Sequence, residues 1–269
     1  MNEPLYTSAA YDDLKIMKAI GYGDGTIEYE AIGHGDGTIE YGKEFLYYHD
    51  GPVNGLSFGI HSYVPLLASA GEDHLAIVWK IKEGRNSYDK DDRKWSIANK
   101  FKFDEPVSSI SLSSDGQNLL AIALRSGKIH ILSILSYEEI HSFNISGKNP
   151  KVCYIPDLTS LAIGNDEGHV FIYQESHVIS DIFIIPSPII SIAANSSGII
   201  AVVFENSLVK IIDHNEITDI EINSPDKITL CAWDPTCGAL ELTNSDGQLS
   251  RYHLLPNHKW KTLSVLKQK

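Results

Sequence analysis

The sequence predicts an all-β protein, a single β-propeller of six four-stranded antiparallel blades that takes up nearly the whole 269-residue chain. Three observations predict it. A turn-plus-strand motif recurs about every 40 residues. A second marker, a proline-bearing turn followed by an apolar strand, keeps the same period. The composition, with 13 Tyr and 2 Met among many Ile, Val and Ser, favours strand. A chain of this length buries a large core without disulfides, and all-β chains of this size commonly form one domain.

The first marker reads GDGTIEY (35–41), GEDHLAIVW (71–79), RSGKIHIL (125–132), NDEGHVFIY (165–173), ENSLVKII (205–212) and SDGQLSRY (245–252). Its last residues, Tyr41, Trp79, Leu132, Tyr173, Ile212 and Tyr252, are 38, 53, 41, 39 and 40 residues apart. The long interval contains a charged insert at 82–94. The second marker reads GPVNGLSF, EPVSSISL, NPKVCYI, SPIISIA and SPDKITLCAW, around Pro52, Pro106, Pro150, Pro188 and Pro225. Proline fixes φ and suits the start of a strand, where no ladder donor is yet needed. Between the markers lies another short strand (LLASA, NLLAIAL, SLAIG, IIAVVF, ALELT). A fourth follows (SIANKFKF, YEEIHSF, VISDIFII, EITDIEI). Four short strands with tight turns make one propeller blade. The blades fall at about 1–48, 49–103, 104–145, 146–184, 185–222 and 223–267.

One unit carries more than the period. HDGPVNGLSF (49–58), LASAGED (67–73) and IVWK (77–80) resemble a WD-repeat, with Tyr48 in place of the family's glycine and Lys80 in place of its Asp. The resemblance implies a buried hydrogen-bonded chain of His49, Ser69, Asp73 and Trp79 with a structural role. The other units lack both the initial His and the Trp-Asp ending.

Residues 19–30, AIGYGDGTIEYE, recur at 31–42 as AIGHGDGTIEYG, with ten of twelve positions identical. Either copy could supply the turn and third strand of the first blade, the other being an inserted hairpin. Alternatively both are used, so that 14–21, 26–33 and 38–46 form a continuous meander. The meander leaves no strand unpaired and is the expectation. Duplication also blurs register, because either pairing buries the same side chains. GDGTI imitates part of a calcium loop, but most ligand positions around Asp24 and Asp36 are apolar or basic.

Net charge is −13, which speaks against direct nucleic-acid binding and against an anionic membrane surface. The uncharged stretch 182–204 is broken by Pro186, Pro188 and 195–198, so it reads as strands rather than a membrane span. No signal peptide is evident at the first residues. The three cysteines form no disulfide framework. A cytoplasmic or nuclear location is expected, where the sequons at Asn144 and Asn195 carry no meaning.

No catalytic motif is present, so neither an enzyme nor a cofactor or metal is expected. The eleven histidines are scattered and read as surface or turn residues, apart from His49. Cys153 and Cys231 lie on apolar strands and read as inert thiols; Cys231 and Cys237 have no second pair to make a zinc site.

Binding is therefore expected on loops. The turns before the first strands place Asp50, Asp104, Glu105, Lys148, Asn149, Ser187 and Asp226 on one face. The turns between second and third strands add Asp36, Glu72, Asp73, Arg125, Asn165 and Asp166, then Glu205, Asn206 and Asp246. The balance is acidic, which favours a basic peptide. The insert 82–94 falls on the opposite face. The expected role is a protein–protein interaction scaffold, a propeller subunit of a multiprotein assembly such as a coat or nuclear-pore-like complex. The alternative is a peptide or substrate receptor of a ubiquitin-ligase, chromatin or RNA-processing complex. Residues 259–266 can supply the last blade's own fourth strand. No further amino-terminal strand is left to lock the ring, so closure is expected to be weak or completed by a partner's strand.

Overall fold

The computed structural model describes residues 6–11, 17–22, 26–31, 43–61, 64–82, 94–113, 118–156, 160–174, 177–213, 216–220, 222, 227–233, 239–245, 248–254 and 260–267. Among them every regular element is a strand. The first sheet holds β1 (Tyr6–Tyr11), β2 (Met17–Tyr22), β3 (Thr26–Ala31) and β4 (Lys43–Tyr47). The second holds β5 (Val53–His61), β6 (Val64–Gly71), β7 (Leu75–Lys82) and β8 (Lys94–Lys102). The third holds β9 (Val107–Leu112), β10 (Leu119–Leu124), β11 (Lys128–Ser133) and β12 (Glu139–Asn144). The fourth holds β13 (Lys151–Tyr154), β14 (Leu161–Gly164), β15 (His169–Gln174) and β16 (His177–Phe183). Then come β17 (Ile189–Ala194), β18 (Ile200–Phe204), β19 (Val209–Asp213) and β20 (Glu216–Asp219). The last sheet holds β21 (Ile228–Trp233), β22 (Leu240–Asn244), β23 (Gln248–Leu254) and β24 (Trp260–Lys267).

Each sheet is an antiparallel meander of consecutive strands, and first strands pack on first strands: β1 on β5, β5 on β9, β9 on β13, β13 on β17, β17 on β21, and β21 on β1. The architecture is a β-propeller with four-stranded blades. The five blades from β5 onward show side-chain packing; the sheet β1–β4 is described mainly by its backbone pairing, and the expected count of six rests on it.

Packing follows strand alternation. Second strands turn small residues toward the following blade and larger ones toward the preceding blade. Ala68 and Ala70 meet Val107, Ile110 and Leu120. Ala121 and Ala123 meet Tyr154, Leu161 and Ile163. Ala162 meets Ile189, Ile200 and Phe204, and Ala201 meets Ile228, Leu240 and Leu242. Burial fades outward: β9 is buried throughout, whereas β16 and β20 are largely exposed.

The innermost strands are also stitched by side chains. Leu112 N–H donates to Ser57 Oγ (2.9 Å), Val152 N–H to Ser109 Oγ (3.1 Å) and Tyr154 N–H to Ser111 Oγ (3.0 Å). Cys231 N–H donates to Ser191 Oγ (3.1 Å). These amides face the preceding blade and cannot join their own sheet's ladder, so a short hydroxyl there serves as the acceptor.

The structure revises one sequence expectation and agrees with another where it can be compared. In the first sheet β2 pairs with β3, Ala19 opposite Tyr29 and Ile20 opposite Glu28, and β3 pairs with β4. The expected meander strands 14–21, 26–33 and 38–46 thus overlap β2, β3 and β4 in order; residues 32–42, most of the second copy, lie outside the described residues. The proline marker, by contrast, is not one structural position. Pro52, Pro106 and Pro188 each accept the amide that opens the turn after their second strand, from Glu72, Arg125 and Glu205. In the β13 and β21 blades Lys148 and Lys227 take that role, while Pro150 stands directly before β13 and Pro225 lies outside the described residues. The insert beyond Lys82 is likewise outside them up to β8.

Ser111→Ala leaves the buried Tyr154 amide without its acceptor. Its unfolding free energy in urea is expected to fall by ~1–3 kcal/mol, with an unchanged m-value; a change below a few tenths would show that the stitch is dispensable.

Candidate functional site

The turns before the first strands and those after the second strands share one face, because the proline-turn carbonyls bind the turn amides directly. The four second-to-third-strand turns that are fully described each end in a left-handed residue: His74 (φ 69°), Gly127 (102°), Gly168 (87°) and Ser207 (66°). Glycine suits such a position; at His74 and Ser207 the tight five-residue reversal imposes it on a residue with a Cβ.

The four residues singled out by the WD-repeat resemblance come together. Trp79 Nε1–H donates to Ser69 Oγ (2.8 Å), Ser69 Oγ lies 2.8 Å from His49 Nε2, and His49 Nδ1 lies 3.0 Å from both Asp73 carboxylate oxygens. With Ser69 donating to Nε2 and Nδ1–H donating to Asp73, every donor in the chain has an acceptor; the tautomer is assigned from that count. Asp73 further accepts Asp50 N–H (3.0 Å) and Leu75 N–H (3.2 Å). A Cβ on Gly71 would collide with both Asp73 Oδ1 and His49 Nδ1, so the close approach of that pair requires glycine. Ser69 is fully buried and His49 nearly so. The group ties the blade's first turn, second strand and third strand together and offers no open reactive atom.

The remaining face residues are placed as follows. Glu105 accepts from the Ser126 amide (2.7 Å) and hydroxyl (2.6 Å), and Asp166 accepts Lys148 N–H (2.6 Å). Asn165 Oδ1 accepts Glu167 and His169 N–H, and Asn206 Oδ1 accepts Leu208 N–H. Arg125 Nη2 lies 2.6 Å from both Glu72 oxygens, bridging two blades. Asp50, Asp104, Glu205, Asn206, Lys148 and Arg125 are exposed. Asp36, Asp226 and Asp246 lie outside the described residues. Much of the expected acidic rim is thus spent on turn amides and on one arginine.

Two residues were not singled out from sequence. Asn54 Nδ2 donates to Glu72 Oε2 (3.1 Å) and to Val107 C=O (2.9 Å) of the next blade. Lys151 opens β13 opposite Gly164, where β5, β9 and β17 place Gly55 opposite Ala70, Ser109 opposite Ala123 and Ser191 opposite Val203, and β21 places Leu230 opposite Thr243. Its Nζ donates to Ser108 C=O (2.9 Å) in the preceding blade. A lone charged residue at a register position held elsewhere by Gly, Ser and Leu was the available signal, visible only once the strands are aligned. Burial, with the Arg125 charge added, lowers its ammonium to about 8 against the pull of Glu72. Burial alone would raise the Glu72 carboxyl, but the Asn54 and Arg125 hydrogen bonds outweigh it and hold it below the usual carboxylate range.

His130 corrects the reading of the histidines as surface residues: it is buried on β11, its Nδ1 bonded to Glu139 of β12. The Cys153 and Cys231 thiols are free and pushed up by burial to about 11 and about 12, which keeps them protonated and unreactive at neutral pH. Cys237 is outside the described residues. Among the described residues no group of His, Cys, Asp and Glu is arranged to hold a metal ion, and no helix is long and apolar enough to cross a membrane. No protein-family model matches the sequence, and no match is found among curated proteins.

Gly71→Ala and Trp79→Phe should each lower stability by ~1–3 kcal/mol, by displacing the His49–Asp73 pair or by removing the indole donor; denaturant titration that leaves both at wild-type stability would remove the group's structural role. Lys151 has a second, pH-dependent signature. Its folded value is depressed below the ordinary 10.5, so between pH 8 and 10.5 the unfolded chain binds more protons and the native state gains relative stability as pH rises. The stability difference between wild type and Lys151→Met should therefore shift in favour of wild type from pH 8 to 10, measured by urea titration at each pH.

Proposed function

We propose that this chain is a non-catalytic binding platform, a six-bladed propeller of WD-repeat type serving as a subunit of a multiprotein assembly of the coat or nuclear-pore kind. The observation that carries the reading is the turn face. Its carboxylates, amides and one arginine are engaged in holding the turns still, and a preorganised surface loses little entropy when a partner docks. The His49–Ser69–Asp73–Trp79 chain supports the family reading. The sheet β1–β4, placed between β5 and β21, supports the count of six.

The seam between the last and first blades supports weak or partner-assisted closure. The alanine position shared by Ala121, Ala162 and Ala201 is filled in β22 by Glu241, which is 2% exposed and paired with Arg251 (2.7 Å). A buried ion pair is a poorer adhesive than close apolar packing. Each sheet is also built from consecutive strands, so no strand exchange reinforces the seam.

The test is affinity purification of the tagged chain from its native cell, followed by cross-linking. Stoichiometric protein partners, cross-linked to the turn face and lost on charge reversal of Asp50, Asp104 and Glu205, are expected. Partners that survive this reversal but are lost on deletion of 83–93 would move the platform to the opposite face. A monomeric chain with substrate turnover would end the reading.

A further inference from the structure

At one place on the turn face of this acidic chain a single acid, Glu72, stands against two positive charges, Arg125 and Lys151. Both Glu72 oxygens are already taken up by Arg125 and one also by Asn54. Asp166, the acid of the neighbouring turn, is directed at the Lys148 amide. The Lys151 ammonium has one acceptor among the described residues, the Ser108 carbonyl, and an ammonium has three donors. Glu72, Arg125 and Lys151 together carry one net positive charge, gathered from three neighbouring blades.

We propose that Arg125 and Lys151 form a carboxylate-binding site on the turn face, which receives an acidic side chain from a partner protein's segment. The reading rests on the platform function and gives its partner a chemistry opposite to the one that the net charge of −13 suggests. Arg125 is about half exposed on its side chain while one of its edges is pinned to Glu72; the rest of the guanidinium fork remains to meet an incoming carboxylate. Lys151 supplies the second charge from a position where the neighbouring first strands have glycine or serine. A carboxylate placed between the two completes the neutralisation that Glu72 alone cannot provide. It also favours the charged form of Lys151, whose deprotonation near pH 8 otherwise competes. The charged groups that act on this ammonium are Arg125 and Glu72, each from the turn after a second strand.

The test uses fluorescein-labelled hexaglutamate and hexalysine peptides with the full chain at low ionic strength, read by anisotropy. Hexaglutamate should bind. Lys151→Met and Arg125→Gln should each weaken it about tenfold, and Glu72→Gln should tighten it severalfold by removing the competing carboxylate. The tightening is a gain that a purely structural Lys151 does not produce, and it keeps the test decisive if Lys151→Met folds poorly. At pH 8.5, titration calorimetry in two buffers of different ionisation heat should show proton uptake on binding. Preference for hexalysine, equal binding by all variants, or no proton uptake would overturn the site. Displacement by micromolar inorganic phosphate would overturn the carboxylate assignment. If hexaglutamate fails while stoichiometric partners are still captured by both wild type and Lys151→Met, the site falls and the platform stands.

Discussion

The described blades bury apolar side chains on both faces, and only a neighbouring blade covers them. That requirement organises the molecule. A lone four-stranded sheet with Leu120, Ile122 and Leu124 on one side and Ala121, Ala123, Ile129 and Ile131 on the other would leave both sides in water. Burying one large aliphatic side chain contributes ~1.5–3 kcal/mol, so each interface is favourable only when its neighbour is present. The small-to-large complementarity of successive second strands sets how closely the sheets approach. The serine stitches that join β5 to β9, β9 to β13 and β17 to β21 tie those blades together without using any ladder hydrogen bond.

The outer strands obey a different rule. They gain little from burial, and Ile140, Val178, Ile179, Phe183 and Ile217 are exposed along them. Three are instead tied to their third strand by a side-chain pair: His130 with Glu139, His169 with Asp181 (2.7 Å) and Lys210 with Asp219 (2.6 Å). The basic partner is always on the inner of the two strands. Hydrogen bonds from His130 and Ser142 hold the Glu139 carboxyl below its ordinary value, so this tie persists until the pH falls through that lowered value. Such pairs add modestly to stability but keep the perimeter strands in register.

The turn face shows how one composition can hide two electrostatic behaviours. Net charge describes the far field of the chain. At the scale of a docking side chain, what counts is which charges are already matched. Asp73, Glu105 and Asp166 are matched to backbone amides and Glu72 to Arg125, whereas Lys151 lies in a niche where burial disfavours its charge.

Period, strand type and turn position were legible in the residues, because a strand's alternation and a tight turn's chemistry are local properties. The hydrogen-bonded chain from His49 to Trp79 was legible too, since its members sit in one blade at spacings set by the hairpins between them. How the acids of the face are used was not legible for a related reason: only the fold shows that Glu105 accepts from the Ser126 amide and hydroxyl. Sequence by itself determined that the chain would form repeated four-stranded sheets. Tertiary structure decided that His130 is buried and that Asn54, Glu72, Arg125 and Lys151 meet. Those outcomes depend on contacts between residues tens of positions apart, which alternation and turn chemistry leave open and only the packing of one blade on the next resolves.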